Sequence, residues 1–208
     1  MMLNKYKLFP YLEDKILLSK LKIDDDSVYY ISIRDHATKI TNIIIYHLSL
    51  ININPQNAII TDGTAGVGGN TLSFCSKFKK VYAIEIDELR ASYLKNNINV
   101  YGYTNVVIMN DNCLNVFDEI SDSNVIFIDP PWGGRNYKKY NKLKLTLSTK
   151  SIENICLDVL NNKNIKLVVL KLPFNYDLLY FYWMLKDYII YLYDLNKMLI
   201  LVVHNRLK

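Results

Sequence analysis

The run Asp129-Pro130-Pro131-Trp132-Gly133-Gly134 follows directly on the apolar segment NVIFI. A carboxylate, two prolines, an indole and two glycines make a poor packing edge but a good holder for a flat ring beside a hydrogen-bond acceptor. The prolines fix φ and stiffen the strand end. Trp132 offers a π face, and Gly133-Gly134 would keep Cβ atoms off the wall. Asp129 and the backbone carbonyl of Pro130 could accept the N–H of an exocyclic amine on a base and so steer its lone pair. That makes Asp129, Pro130 and Trp132 the candidate catalytic residues. A turn built around a core tryptophan is the competing interpretation, and the polar, rigid Asp-Pro-Pro start speaks against it.

A second constellation is IITDGTAGVGGN, in which Asp62, Gly63, Thr64, Ala65, Gly66, Gly68, Gly69 and Asn70 lie where a strand turns into a helix. Glycines at such a turn allow torsions and close approach that side chains block. In open α/β sheets, ligands bind at this carboxyl edge. A dinucleotide loop competes, but GxGxxG spacing is absent and an acid precedes the glycines; a Walker loop lacks its Gly-Lys-Ser/Thr. Asp62 suits a cofactor with positive charge near an amino-acid part, as in S-adenosylmethionine (SAM), which carries an ammonium and a sulfonium. Glu85 ends the next strand about 20 residues on, placed to accept ribose hydroxyls. Asp111 and Asn112 end the third, where an adenine amino group could donate. Each acid alone would be a plain strand-end cap. Three in succession beside the glycines point to SAM.

The elements that must position these residues alternate. Strands are predicted at NAIIT, VYAIEI, VVIMN, VIFI and IKLVVLKLP. Helices are predicted at NTLSFCSKF, at ELRASYLKNNINVYG ending near Gly102, and at SIENICLDVLNN. YIIYLYDL and MLILVVHN, with turn residues around Asn196, read as an antiparallel hairpin. The fold class is therefore α/β: a Rossmann-like, mostly parallel seven-stranded sheet with a terminal antiparallel hairpin. Residues 1–56 read as a helical N-terminal extension and 57–208 as the domain proper. Ser32 to Asp35 predicts a capping box before Ile40, Ile43, Ile44, His47 and Leu48, which fall on one helical face.

DGTAGVGGNT, VYAIEIDE, NNINVYG and DPPWGG together resemble the RNA cap guanine-N2 methyltransferases, the trimethylguanosine synthase family, whose fold is the class I SAM-dependent one. NKYKLFPYLED resembles that family's basic-aromatic N-terminal segment, and DLNKMLILVV its Asn-Lys hairpin. The resemblance implies that Trp132 stacks on the 7-methylguanine of an RNA cap. It implies a triphosphate met by basic residues, with Lys5 and Lys7 as candidates, and it makes Asn196 and Lys197 further substrate-binding candidates. Its physics is consistent, since 7-methylguanine is cationic and Trp is the best cation–π partner. The chain departs from the family at Asp129, where Ser is common, at Arg135, where Pro is usual, and at Ser32 to Asp35, in place of Ser-Val-Thr-Pro. It resembles a minimal version of the kind a virus would carry.

Arg135, Lys138, Lys139, Lys142, Lys144 and Lys150 lie in a stretch without acids, interleaved with Tyr137 and Tyr140. Beside a base pocket such a run fits phosphate; elsewhere it would be a solvated loop. The whole chain has 208 residues, is half apolar and carries a net charge of +5, so it suits one folded domain and an anionic partner without requiring one. Three scattered cysteines and three histidines offer neither a disulfide frame nor a metal site. The start is charged and no run approaches the roughly 20 residues of a membrane helix. The expected setting is soluble and intracellular, in nucleus, cytoplasm or a viral compartment, with capped RNA as partner. A methyltransferase acting on guanine N2 or adenine N6 of internal RNA or DNA bases accounts for DPP equally well. A non-catalytic RNA-binding subunit would have no need of the three strand-end acids.

Overall fold

The computed structural model describes residues 5–205, apart from the side chain of Arg135. The chain gathers into two units, Met1–Cys113 and Leu114–Lys208. In the first, α1 (Lys5–Leu8), α2 (Lys15–Lys20) and α3 (Ser27–Tyr30) precede the long α4 (Arg34–Leu50). The face foreseen for α4 is the buried one, with Ile40, Ile44, His47 and Leu48 fully enclosed. The capping box is not formed. Ile33 occupies the N-cap position, so Ser32 lies one residue too early. Its hydroxyl instead accepts from the Asn70 amide at 3.1 Å, while Asp35 pairs with Arg34.

Strands β1 (Ile59–Asp62), β2 (Lys80–Ile84) and β3 (Val106–Met109) run parallel, with Asp62 opposite Ala83 and Ile84 opposite Met109. They alternate with α5 (Gly69–Cys75) and α6 (Glu88–Tyr101), and the short α7 (Cys113–Val116) follows β3. Asp87 caps α6 by accepting from Arg90 N–H at 2.9 Å, and Gly102, at φ 71°, ends it in the left-handed conformation that glycine adopts without strain. Asn97, fully buried on α6, fastens the N-terminal segment. Its oxygen accepts from Lys22 N–H at 2.7 Å, and its amide donates to the carbonyls of Lys22 and Val67 at 2.8 and 2.9 Å. Phe9 and Leu21 are enclosed in the same unit. Burying such side chains supplies about 1.5–3 kcal/mol each.

The second unit is built on β4 (Val125–Ile128) and β7 (Leu167–Leu172), parallel and buried along their whole length. Continuous apolar runs such as VIFI and LVVL suit strands covered on both faces. β9 (Leu199–His204) lies antiparallel to β7 and pairs with the edge strand β8 (Ile189–Asp194), giving the foreseen hairpin with Asn196 in its turn at φ 66°. A small ribbon, β5 (Thr146–Leu147) with β6 (Lys150–Ser151), leads into α8 (Ile152–Leu160), which Ser151 caps. Helix α9 (Leu178–Met184) was not anticipated, because LLYFYWM has no polar face to reveal a period. The seven-stranded sheet has the order β3-β2-β1-β4-β7-β9-β8. It is mostly parallel, as expected. No helix among the described residues is long and apolar enough to cross a membrane.

Candidate active site

In the first unit the carboxyl ends of β1, β2 and β3 carry Asp62, Glu85 and Asp111. Asp62 was expected to face a ligand. It is instead wholly buried, accepting from the Thr71 hydroxyl at 2.7 Å and from Thr64 N–H at 3.3 Å. Its carboxylate therefore shapes the glycine turn from beneath. Its charge also reaches Cys75, whose thiol is pushed up to about 12 by burial first and by Asp62 second, leaving that cysteine inert.

Glu85 spans the turn from the other side. One oxygen accepts from Gly66 N–H at 2.7 Å and the other from Asp87 N–H at 2.9 Å. A carboxylate has about four lone-pair sites, so these bonds leave capacity for ribose hydroxyls. Gly66 and Gly68 have φ of 54° and 105°. At Gly69 a Cβ would stand 2.6 Å from the Ile31 side chain and 2.9 Å from the Ser32 carbonyl, so only glycine lets that segment approach. Asn70 donates to Ser32, yet its Oδ1 is buried with no partner among the described residues, an acceptor awaiting a donor. Asp111 is exposed and accepts from Asn112 N–H at 2.6 Å. Asn110, not singled out beforehand, donates to the carbonyls of Glu85 and Ile86 at 2.8 and 3.2 Å and so ties the ends of β2 and β3 together. An open glycine turn, an unsatisfied amide oxygen and a bridging carboxylate fit a nucleoside bearing a charged amino-acid tail.

In the second unit, Ile128 pairs with Leu170, and the register carried one residue further sets Asp129 beside Lys171. The Lys171 ammonium donates to Asp129 Oδ2 at 2.6 Å, with the two side chains only 5% and 18% exposed. Burial pushes the Asp129 carboxyl up, against the opposing pull of the Lys171 charge and hydrogen bond. Sequence reasoning missed Lys171, although a lone lysine inside LVVLKL was a visible anomaly. Trp132 is half-buried. Its Nε1–H makes a long hydrogen bond of 3.4 Å to the Lys171 carbonyl. Tyr137 packs against its ring with centroids 5.3 Å apart at 70°. The Lys171 ammonium lies 5.5 Å from the indole centroid. Lys171 thus holds both the carboxylate and the ring.

A Cβ on Gly133 or Gly134 would point into open space, with no protein atom within 4 Å. Their φ values of 89° and 65° show that they turn the chain, leading into a 3₁₀ segment at Gly134–Lys139. Pro130 is buried at the strand end. Lys5 spends its ammonium on the carbonyls of Ser19 and Leu21 at 3.2 and 2.6 Å, whereas Lys7 is exposed. The Arg135 side chain lies outside the described residues. Asn196 and Lys197 are exposed in the β8–β9 turn. Because Leu199 pairs with Leu172, that turn belongs to the edge of β7 that also carries Lys171. Among the described residues no cluster could hold a metal ion.

The sequence profile of a family described as RNA cap guanine-N2 methyltransferase matches residues 57–199. A protein of Acanthamoeba polyphaga mimivirus, L320, is 41% identical over 204 residues, covering 89% of this chain and 80% of its own. The trimethylguanosine synthase of Schizosaccharomyces pombe is 28% identical over 163 residues, covering 76% of this chain and 61% of its own. A putative methyltransferase from Streptococcus mutans, solved in complex with SAH, superposes with a TM-score of 0.55 at 17% identity, over 78% of this chain and 97% of that one. The fold is that of the class I SAM-dependent methyltransferases.

Proposed function

Since the chain belongs to the RNA cap guanine-N2 methyltransferase family, we propose that this methyltransferase carries a methyl group from SAM to the exocyclic N2 amine of a 7-methylguanosine RNA cap. The pairing of Asp129 with Lys171 beside the half-buried face of Trp132 carries the proposal. Asp62, the turn from Gly63 through Gly68, Asn70, Glu85, Asp111 and Asn112 would hold SAM. When bound, SAM supplies the electrophilic methyl group. Glu85 would take the ribose hydroxyls, Asp111 and Asn112 the adenine, and Asp62 would act by holding the turn in shape.

On the acceptor side, Trp132 stacks the cationic purine, for which an indole is the best aromatic partner. Asp129 accepts one N–H of the amine and so fixes the direction of its lone pair, an orientation effect of the kind that removes several kcal/mol from a bimolecular barrier. The proton released after transfer passes to Asp129 or to water. Lys171 opposes the rise that burial imposes on the Asp129 carboxyl, and in its charged form that carboxylate accepts more strongly than a neutral group would. Residues 1–56 would form a substrate-side extension to the methyltransferase domain at 57–208, with Lys7 the better placed of the two N-terminal lysines for phosphate. Capped RNA is the partner. The trimethylguanosine synthase among the relatives supports the cap amine as acceptor.

Asp129, standing where the family commonly has Ser, favours a second proposal: an N2-guanine or N6-adenine methyltransferase for internal bases. Incubation with labelled SAM and a panel of m7GTP, GTP and uncapped RNA separates the two. Transfer to m7GTP alone supports the cap amine, and transfer to uncapped RNA overturns it. Binding of RNA without transfer to any acceptor would leave a non-catalytic subunit.

A further inference from the structure

Helix α9 buries Phe181 and exposes other large apolar side chains. Leu179 and Trp183, one turn apart, are 74% and 66% exposed. Tyr180 stacks on Trp183 with centroids 6.0 Å apart and planes inclined by 28°. The Lys144 ammonium stands 3.5 Å above the Tyr180 ring. An exposed indole backed by a half-buried tyrosine that bears a cation is an arrangement that binds nucleobases and phosphates together.

The loop that brings Lys144 is anchored. Leu143 N–H donates to the Asn175 carbonyl at 2.7 Å, and Asp177 N–H donates to the Leu143 carbonyl at 2.9 Å. The Asn175 amide reaches back to the carbonyls of Tyr137 and Tyr140 at 2.7 and 2.6 Å. The exposed Lys138, Lys139 and Lys142 are carried on this same loop, and from Gly133 to Lys150 there is no acid to offset them. Lys150 differs, being paired with Asp158. At the other end of the loop, Tyr137 packs on Trp132. Basic loop and aromatic helix therefore form one continuous surface leading away from the proposed base slot.

We propose that this surface, from Tyr137 through Lys142 and Lys144 to Tyr180 and Trp183, binds the single-stranded RNA that follows the cap. The charge selects the polyanion, and the exposed Trp183 ring selects unpaired bases, since stacking is available in a single strand and absent in a duplex whose bases are already stacked. This rests on the assignment of Trp132 as the site of the modified base. It adds that the enzyme holds the transcript by its first nucleotides as well as by its cap.

The test is fluorescence anisotropy on the full chain with three probes: m7GTP in competition, a capped ten-nucleotide RNA, and the same RNA uncapped. Trp183→Ala, at an exposed position, and the pair Lys142→Ala/Lys144→Ala should each weaken the capped RNA by about tenfold and leave m7GTP unchanged. The lysine pair should also flatten the salt dependence, by about 0.7 per lost phosphate contact in the log–log slope for a single strand. Wild-type affinity for capped RNA no greater than for m7GTP would overturn the proposal, as would variants that lose m7GTP equally. A change in oligomeric state by light scattering with Trp183→Ala, at unchanged RNA affinity, would overturn it in favour of a protein interface. If uncapped RNA binds as well as capped RNA, with the same sensitivity to these variants, the surface stands and the cap assignment falls.

Discussion

Replacing Lys171 by Met tests the innermost part of the site. At 2.6 Å and an effective dielectric constant of about 20, the Lys171–Asp129 attraction is about 6 kcal/mol before desolvation is counted. Methionine keeps the stem's volume and removes the charge, leaving the carboxylate without its ammonium. Breaking a buried pair from one side costs about 3–5 kcal/mol. The 18% exposure of Asp129 admits some water, so the lower end, about 3 kcal/mol, is expected. The sign with pH follows from the direction of the shift. Burial already raises the Asp129 carboxyl above its ordinary 3.8, and Lys171 is what opposes that rise. A raised carboxyl contributes stability below its unfolded value and loses it as pH rises through the folded one. Lys171→Met raises the folded value further, so its deficit should be small near pH 4 and full near pH 8. The kcat profile should show its acid limb displaced to higher pH, with kcat lowered roughly ten- to hundredfold for a lost charged hydrogen bond. Denaturant melts at both pH values and pH–rate profiles read these effects. Asp129→Ser combined with Lys171→Met removes both charges and should recover most of the stability while kcat stays low. A Lys171→Met enzyme with wild-type stability at pH 8 and an unmoved acid limb would refute the reasoning.

Trp132→Ala should weaken 7-methylguanosine caps by about 1–3 kcal/mol and unmethylated GTP by less, measured by calorimetry on both nucleotides. Glu85→Ala should abolish SAM binding and cost about 1–3 kcal/mol of stability with the fold retained, because it leaves the Gly66 and Asp87 amides without their acceptor. Asp62→Ala should lose SAM binding and about 1–3 kcal/mol of stability together, since it strands the Thr71 hydroxyl in a buried place. Lys5→Met should lower stability through the carbonyls of Ser19 and Leu21, and Lys7→Ala should weaken m7GTP at unchanged stability, as salt titrations and melts will separate.

What was legible in the sequence was whatever depends on near neighbours along the chain. The strands are short β-branched runs, α4 shows its buried face in the spacing of Ile40, Ile44 and Leu48, and Gly102 marks the end of α6. What was not legible depends on pairing across the sheet. Nothing in DPPW states that a lysine 42 residues later will donate to its aspartate; the register between β4 and β7 decides that. Asp62 and Glu85 look alike as strand-end acids, yet one lies wholly under the glycine turn and the other bridges its rim. The Ser32 capping box failed by one residue, because the segment before α4 is drawn against Gly69 and Asn70 and the helix starts later. The aromatic density of α9 hid its period, since no polar face marks which side is buried.

The departure at Asp129 gains a physical account once Lys171 is placed. A carboxylate is a stronger acceptor for an amine N–H than a hydroxyl, but a buried carboxylate without a partner would tend to protonate and lose that advantage. The ammonium from the adjacent strand opposes that protonation, which under the proposed function favours the stronger acceptor. Lys171 also receives the Trp132 N–H on its own carbonyl and sets its charge 5.5 Å from the indole centroid. A bare ammonium there would repel a cationic purine from the ring. Under the proposed function, an ionised Asp129 against it would offset that charge and leave the stacking face its preference for 7-methylguanine. The carboxylate that would serve as acceptor therefore also protects the ring's preference, so removing Asp129 alone should cost both.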